Sequence, residues 1–376
     1  MKKDDKLTEI MFKSLSKDPS LANFDEWEKA GDWAIEIRFF PHALSCYQMA
    51  ADLNKTEAVL NKINDIVDKI TNVLEFVPEL LKAPLEEIRL SNPLDPSKWL
   101  AISNSLLTEA TKSMTAGKEP SANLIEASRF ALGFGAYCAS RSGNEIEPIN
   151  GLLKDLIDPV DMRNWQSPKL DITQLAKDKE QIKIVALGDN VTLGLNSNWG
   201  INFQETYHYL WSQKIGHKVS LANNAISGAG VLDLVLYLGR DAIYFKPDVA
   251  ILNFGINDAW LGSSILPAYE ALLESSVKTL QAHSVQVVII TPLPHIVSAC
   301  PLDQRPNDIA DTEMDTEAFT LACKRVAMRT GAVLADAYSK FPVNETERKK
   351  YLENGFNQPN LAGQKLIQAA LDEVCV

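Results

Sequence analysis

Short, almost wholly apolar runs recur after residue 180, near 182–187, 218–222, 248–254, 285–291 and 332–336. Their length and their content of Val, Ile and Leu predict buried β-strands. Between them lie longer segments near 203–215, 231–244, 267–283, 312–329 and 361–374, whose apolar residues return every three or four positions and predict helices. Strand alternating with helix predicts a parallel sheet covered on both faces. Before residue 165 the rhythm is helical throughout. The run Glu57–Ile70 places Val59, Leu60, Ile63, Ile66, Val67 and Ile70 along one face, and Pro78, Pro84, Pro93 and Pro96 break the pattern into separate helices. The polar stretch Ser167–Lys179 reads as a connector. The expected organisation is an all-α domain over 1–175 and an α/β domain over 176–376.

Composition narrows the function classes. The 376 residues are 46% hydrophobic and 23% charged, ordinary for a globular protein and long enough for two domains. A net charge of −12 argues against nucleic acid and anionic membrane surfaces as partners, since both demand a basic stripe. No apolar stretch is long enough for a membrane span, and the opening Met1–Glu9 lacks the apolar core of a secretory signal. Five cysteines stand without a Cys-x-x-Cys pair, so neither a disulfide framework, a metal site nor a cofactor is signalled. The expected location is a reducing compartment, the cytoplasm.

Candidate chemistry falls at strand ends, where ligands of parallel sheets bind. The first strand runs into Gly188-Asp189-Asn190, the second into Asn223-Asn224-Ala225-Ile226-Ser227-Gly228, and the third into Gly255-Ile256-Asn257-Asp258. In this order the three blocks resemble those of the SGNH/GDSL hydrolase family, whose first block is Gly-Asp-Ser with serine as the nucleophile. Asn190 stands at that position, and a carboxamide has no alkoxide form with which to attack an ester. The resemblance implies a three-layer sheet domain in which Gly228 and Asn257 are oxyanion-hole donors.

The family's last block, Asp-x-x-His before Pro-Asn, is matched by Asn354-Gly355-Phe356-Asn357-Gln358-Pro359-Asn360. Aligned on Pro359, Gln358 takes the histidine position and Gly355 the aspartate position; with a one-residue insertion Asn357 and Asn354 take them. On either alignment nucleophile, base and orienting acid are all missing. At the fourth strand end His295 is a candidate substitute base, with Asp258 or Asp303 as its partner, set against the blander reading of a surface histidine. Trp260, just past the third block, is placed to wall an apolar or sugar-binding pocket, and Trp199 and Trp211 are further candidates. Asp189 is expected to hold its turn through backbone bonds. The ligand-binding set is therefore Asp189, Asn190, Gly228, Asn257, Asp258, Trp260 and His295.

In the helical half, Trp27, Ala30, Gly31 and Ala34 followed by Ala43, Tyr47 and Ala50 resemble one tetratricopeptide repeat, with Ala34 replacing an aromatic and no closing proline. One repeat cannot bury its own face, so neighbouring helices must complete it. His42, the only histidine of this half, reads as a capping or packing residue. Three functions follow. The first is a catalytically degenerate hydrolase-like domain that binds a small acyl or carbohydrate ligand, joined to a helical adaptor that contacts a protein. The second is an active esterase or acyl transferase working through His295. The third is a scaffold whose pocket has closed.

Overall fold

In the computed structural model the described residues are 6–7, 10, 19–36, 40–73, 77–84, 95–118, 121–141, 145–177, 179–194, 218–300, 314 and 316–376. They form two compact units, 1–152 and 153–376.

The first unit is helical. Helices α1 (Phe24–Glu36), α2 (Phe40–Leu53) and α3 (Glu57–Val73) pack in succession, and α4 (Pro96–Thr115) packs along α5 (Ala122–Arg141). The small residues read from the sequence are buried in these two helices, and Gly31 of α1 meets Tyr47 of α2. Ala30, Ala34, Ala43 and Ala50 are fully buried, and a Cβ on Gly31 would stand 2.4 Å from the Tyr47 ring. That ring closes the gap while its hydroxyl donates to Asp32 at 2.7 Å, leaving no buried phenol unsatisfied. Trp27 is fully buried and donates its indole N–H to the Pro19 carbonyl at 2.9 Å. In the second pair, Trp99 lies 4.4 Å from Phe134 between ring centroids. His42 lies in α2, but its side chain is outside the described residues.

The second unit opens with α6 (Glu147–Leu156), which spans the division, and α7 (Ile172–Ala176). Five strands follow, β1 (Gln181–Gly188), β2 (Lys218–Asn223), β3 (Val249–Asn253), β4 (Gln286–Ile290) and β5 (Val333–Ala335), all parallel in the order β2-β1-β3-β4-β5. Each matches an apolar run of the sequence to within two residues. Between and after them come α8 (Asn190–Leu193), α9 (Val231–Asp241), α10 (Ile256–Ala259), α11 (Leu266–Ala282), α12 (Thr316–Thr330), α13 (Glu345–Arg348) and α14 (Leu361–Val374).

Strand alternation divides the side chains between two buried faces. Ile182, Ile184 and Ala186 of β1 join Val249, Ile251, Val288 and Ile290 in a core closed by Ile172 of α7 and Ile367 and Leu371 of α14. Helices α9, α11 and α12 pack one against the next. The α11–α12 contact carries a buried ion-pair network: Arg329 bonds Glu270 and Glu274, each at 2.6 Å, and Arg325 bonds Glu270.

The expected boundary near 175 and the packing division at 152/153 leave residues 153–175 between them. Part of that stretch is bonded into the second unit: Leu170 and Ile172 donate to the carbonyls of Val374 and Val376, the Val376 N–H returns to Leu170, and the Ser167 hydroxyl accepts from Leu334. The helix expected over 203–215, with Trp199, Trp211, His208, His217 and Asp303, lies outside the described residues.

Candidate functional site

The chain steps from β1 outward to β2 on one side and then to β3 on the other, so the carboxyl ends of β1 and β3 meet at the switch point, where ligands of open parallel sheets bind. Gly188 ends β1 because nothing larger fits: a Cβ there would lie 2.1 Å from Thr192 Oγ1 and 2.7 Å from the Asn253 carbonyl. Asp189 then caps α8, accepting the Val191 N–H on Oδ1 at 2.9 Å. After β2 the chain stays beside β1, with Asn224 and Ile226 donating to the carbonyls of Ala186 and Gly188. It turns at Gly228, whose φ of +77° favours glycine. After β3, Gly255 at φ +123° starts the single-turn helix α10 that carries Asn257 and Asp258.

These turns bring Asp189, Asn190, Gly228, Asn257 and Asp258 together. The Gly228 N–H donates to Asn190 Oδ1 at 3.0 Å. Asn257 Nδ2 donates to Asp189 Oδ2 at 3.2 Å and to the Ala229 carbonyl at 3.0 Å. Both donors that the resemblance assigns to an oxyanion hole are thus engaged within the protein. The orientation of each carboxamide follows from its partners, because only an oxygen can accept from Gly228 and only a nitrogen can donate to two oxygens. Asp258 is 1% exposed and faces inward, accepting the Val231 N–H at 2.9 Å as a cap for α9; a side chain at Gly230 would collide with its carboxylate.

Asp189 is 2% exposed. Burial pushes its carboxyl up to about 7; the Val191 N–H opposes the rise and the Asp258 charge adds to it.

His295 is buried, not the surface residue of the blander reading, and is 7% exposed. Its ring centroid is 6.0 Å from that of Trp260, which meets Phe356 edge-on at 6.4 Å, and Arg348 holds its carbonyl at 3.1 Å. The candidate base therefore sits in an aromatic wall.

The loop before α14 is organised by Asn354, whose Oδ1 accepts the N–H groups of Phe356, Asn357 and Gln358 while its Nδ2 donates to Asn357 Oδ1 at 2.7 Å. Gly355 adopts φ +78°. Ile296 donates to the Phe356 carbonyl, tying this loop to the end of β4. Asn360 caps α14, and four residues on Gln364, 3% exposed, reaches the Val191 carbonyl at 3.4 Å.

Gln364, Thr192 and Asn253 support this turn, and the sequence reading missed all three. For Gln364 the available signal was a polar side chain on the face that α14 buries. A pocket of about 240 Å³, open mouth included, lies between the loop after β2 and α9, lined by Gly188, Asn224, Ile226, Asp233, Tyr237 and Phe254 among others. Among the described residues no group of His, Cys, Asp and Glu is arranged to hold a metal ion, and no helix is long and apolar enough to cross a membrane.

Residues 186–366, which contain every turn just described, match the model of the GDSL-like Lipase/Acylhydrolase family. The C-terminal half carries the GDSL-like pattern. Solved structures similar to this half include a variant of an acetyl xylan esterase from Geobacillus stearothermophilus, at 22% identity, TM-score 0.42, over 52% of this chain and 96% of that one. An α/β hydrolase enzyme from the metagenome of Lake Arreo, Spain, is similar at 22% identity and TM-score 0.41, over 51% of this chain and 94% of that one. No curated protein sequence matches the chain. Within the GDSL-like half, the carboxamide of Asn190 is what the turn after β1 presents.

Proposed function

We propose that the GDSL-like half binds a ligand without hydrolysing it, and that the helical unit joins it to a protein partner in the cytoplasm. The observation that carries this reading is the bond from the Gly228 N–H to Asn190 Oδ1. It couples the loss of a nucleophile to the engagement of a donor that acyl transfer would need for its oxyanion. Asn257 supports it in the same way, since its amide N–H groups are directed at Asp189 and Ala229. Asn354, Asn357 and Gln358 offer neither imidazole nor carboxylate in the loop before α14.

The adaptor half of the proposal rests on the α1–α2 hairpin, which packs through the small and aromatic positions of a tetratricopeptide-like pair. It also rests on the acidic balance of the chain, which suits a neutral or basic partner. Labelling with a fluorophosphonate probe tests the loss of chemistry. No adduct should form, and an adduct that survives Asn190→Ala but disappears with His295→Ala would establish a different catalytic arrangement. Capture of a partner by the whole chain but not by residues 153–376 is the expected result for the helical unit; equal capture by both would reject the adaptor.

A further inference from the structure

Asparagine precedes glycine at Asn150-Gly151 and again at Asn354-Gly355. In such a pair the glycine nitrogen can close a five-membered ring on the asparagine Cγ, and glycine has no Cβ to hinder the approach. We infer that Asn354 is a site of self-modification, at which the loop before α14 converts its own carboxamide to a carboxylate, and that Asn150 is not, whatever the GDSL-like half binds.

The fold treats the two pairs oppositely. Asn150 lies within α6 and is 1% exposed, so helical hydrogen bonds fix its backbone and burial keeps water away. Asn354 is exposed and stands in a turn. Its Oδ1 accepts the N–H groups of Phe356 at 3.2 Å, Asn357 at 3.0 Å and Gln358 at 2.9 Å. These bonds fold the carboxamide over the backbone that follows it, the side from which the Gly355 nitrogen attacks. Three donors on one carbonyl oxygen also act as an oxyanion hole: they stabilise the negative charge that Oδ1 gains as that nitrogen adds to Cγ. On the other side Nδ2 donates to Asn357 Oδ1 at 2.7 Å. The bond that must be given up is a long one, from the Gly355 N–H to the Leu352 carbonyl at 3.3 Å.

The steps balance with water as the only co-reactant. Water or hydroxide takes the Gly355 amide proton, the N–Cγ bond forms and the Cγ–Nδ2 bond breaks, and Nδ2 takes up a proton and leaves as ammonia. Water then opens the cyclic imide. Its oxygen joins one of the two carbonyl carbons as the ring C–N bond there breaks, and the nitrogen regains its proton. Opening at Cγ gives aspartate, and opening at the main-chain carbonyl gives isoaspartate. An aspartate at this position keeps an oxygen for the three N–H groups, now in charge-assisted bonds. It adds one negative charge to a loop that the Ile296 N–H ties to the end of β4.

The test incubates the purified full-length protein at mildly acid and mildly alkaline pH, both native and in guanidinium chloride. Peptides carrying Asn150 and Asn354 are then followed by mass spectrometry for loss of ammonia and gain of water. In the native chain conversion at Asn354 should be at least about tenfold faster than at Asn150. It should rise with pH, because only the deprotonated amide attacks. In denaturant Asn150 should accelerate, while Asn354 should be no faster than in the native chain. Asn354→Gln, whose ring would have six members, should stay unconverted. Equal native rates at the two asparagines, or conversion of the Asn354→Gln variant as fast as the wild type, overturns the inference. So does faster conversion of Asn354 in denaturant than in the native chain, which would show that the three bonds restrain the carboxamide instead of activating it.

Discussion

Asn190 has two consequences for the turn after β1. As a side chain it cannot become a nucleophile, and as an acceptor it holds the Gly228 N–H. Its neighbour Asp189 gives a pH dependence whose sign follows from its carboxyl being raised to about 7 from an ordinary value of 3.8. The folded chain holds this proton more tightly than the unfolded chain, so the contribution to stability is highest below about pH 4. It falls as pH rises through the window from about 4 to 7 and is level above it. Chemical denaturation of the wild type and of Asp189→Asn from pH 4 to 8 should show the wild type losing stability relative to the variant across that window, by at most roughly 4 kcal/mol. A difference that stays constant with pH would place the Asp189 titration outside it. Gly188→Ala should be severely destabilising, by about 3 kcal/mol or more, because the added Cβ meets Thr192 Oγ1 at 2.1 Å and the backbone oxygen of Asn253 at 2.7 Å; a denaturant melt reads this directly.

At the scale of elements, the apolar runs foretold the five strands because a strand buried on both faces leaves a continuous signature. Ends were less legible. The helix expected to run to 244 stops at Asp241 and becomes a 3-10 turn over Ile243–Phe245, closed by Lys246 at φ +48°, a conformation that lysine does not advertise in sequence. The site divides the same way. That Asn190, Gly228 and Asn257 converge was readable, since each follows a strand end in a parallel sheet. That the two carboxamides would engage each other's surroundings, and that Asp258 would turn inward to cap α9, depends on distances between turns far apart in the chain. The α11–α12 ion pairs were illegible for that reason too, because Glu270 and Arg329 are 59 positions apart. Arg329→Ala leaves Glu270 and Glu274 buried with reduced compensation and should cost about 3–5 kcal/mol, measured as a lower denaturation midpoint; a change under about 1 kcal/mol would show that the network is dispensable.

For the molecule as a whole, the second unit begins before the polar stretch that reads as a connector. Leu170 and Ile172 are bonded to the last three residues of the chain, so removing Cys375 and Val376 should lower the melting temperature of the second unit and expose 167–176 to protease. Unchanged melting would mean that those bonds contribute little. The proposal of a hydrolase-like fold that binds without reacting stands or falls on turnover. The direct measurement is the hydrolysis of a short acyl ester by the purified full-length protein, beside Asn190→Ala and His295→Ala. No rate above the spontaneous background in any of the three is the predicted result, and enzymatic turnover by the wild type that either substitution abolishes would contradict it.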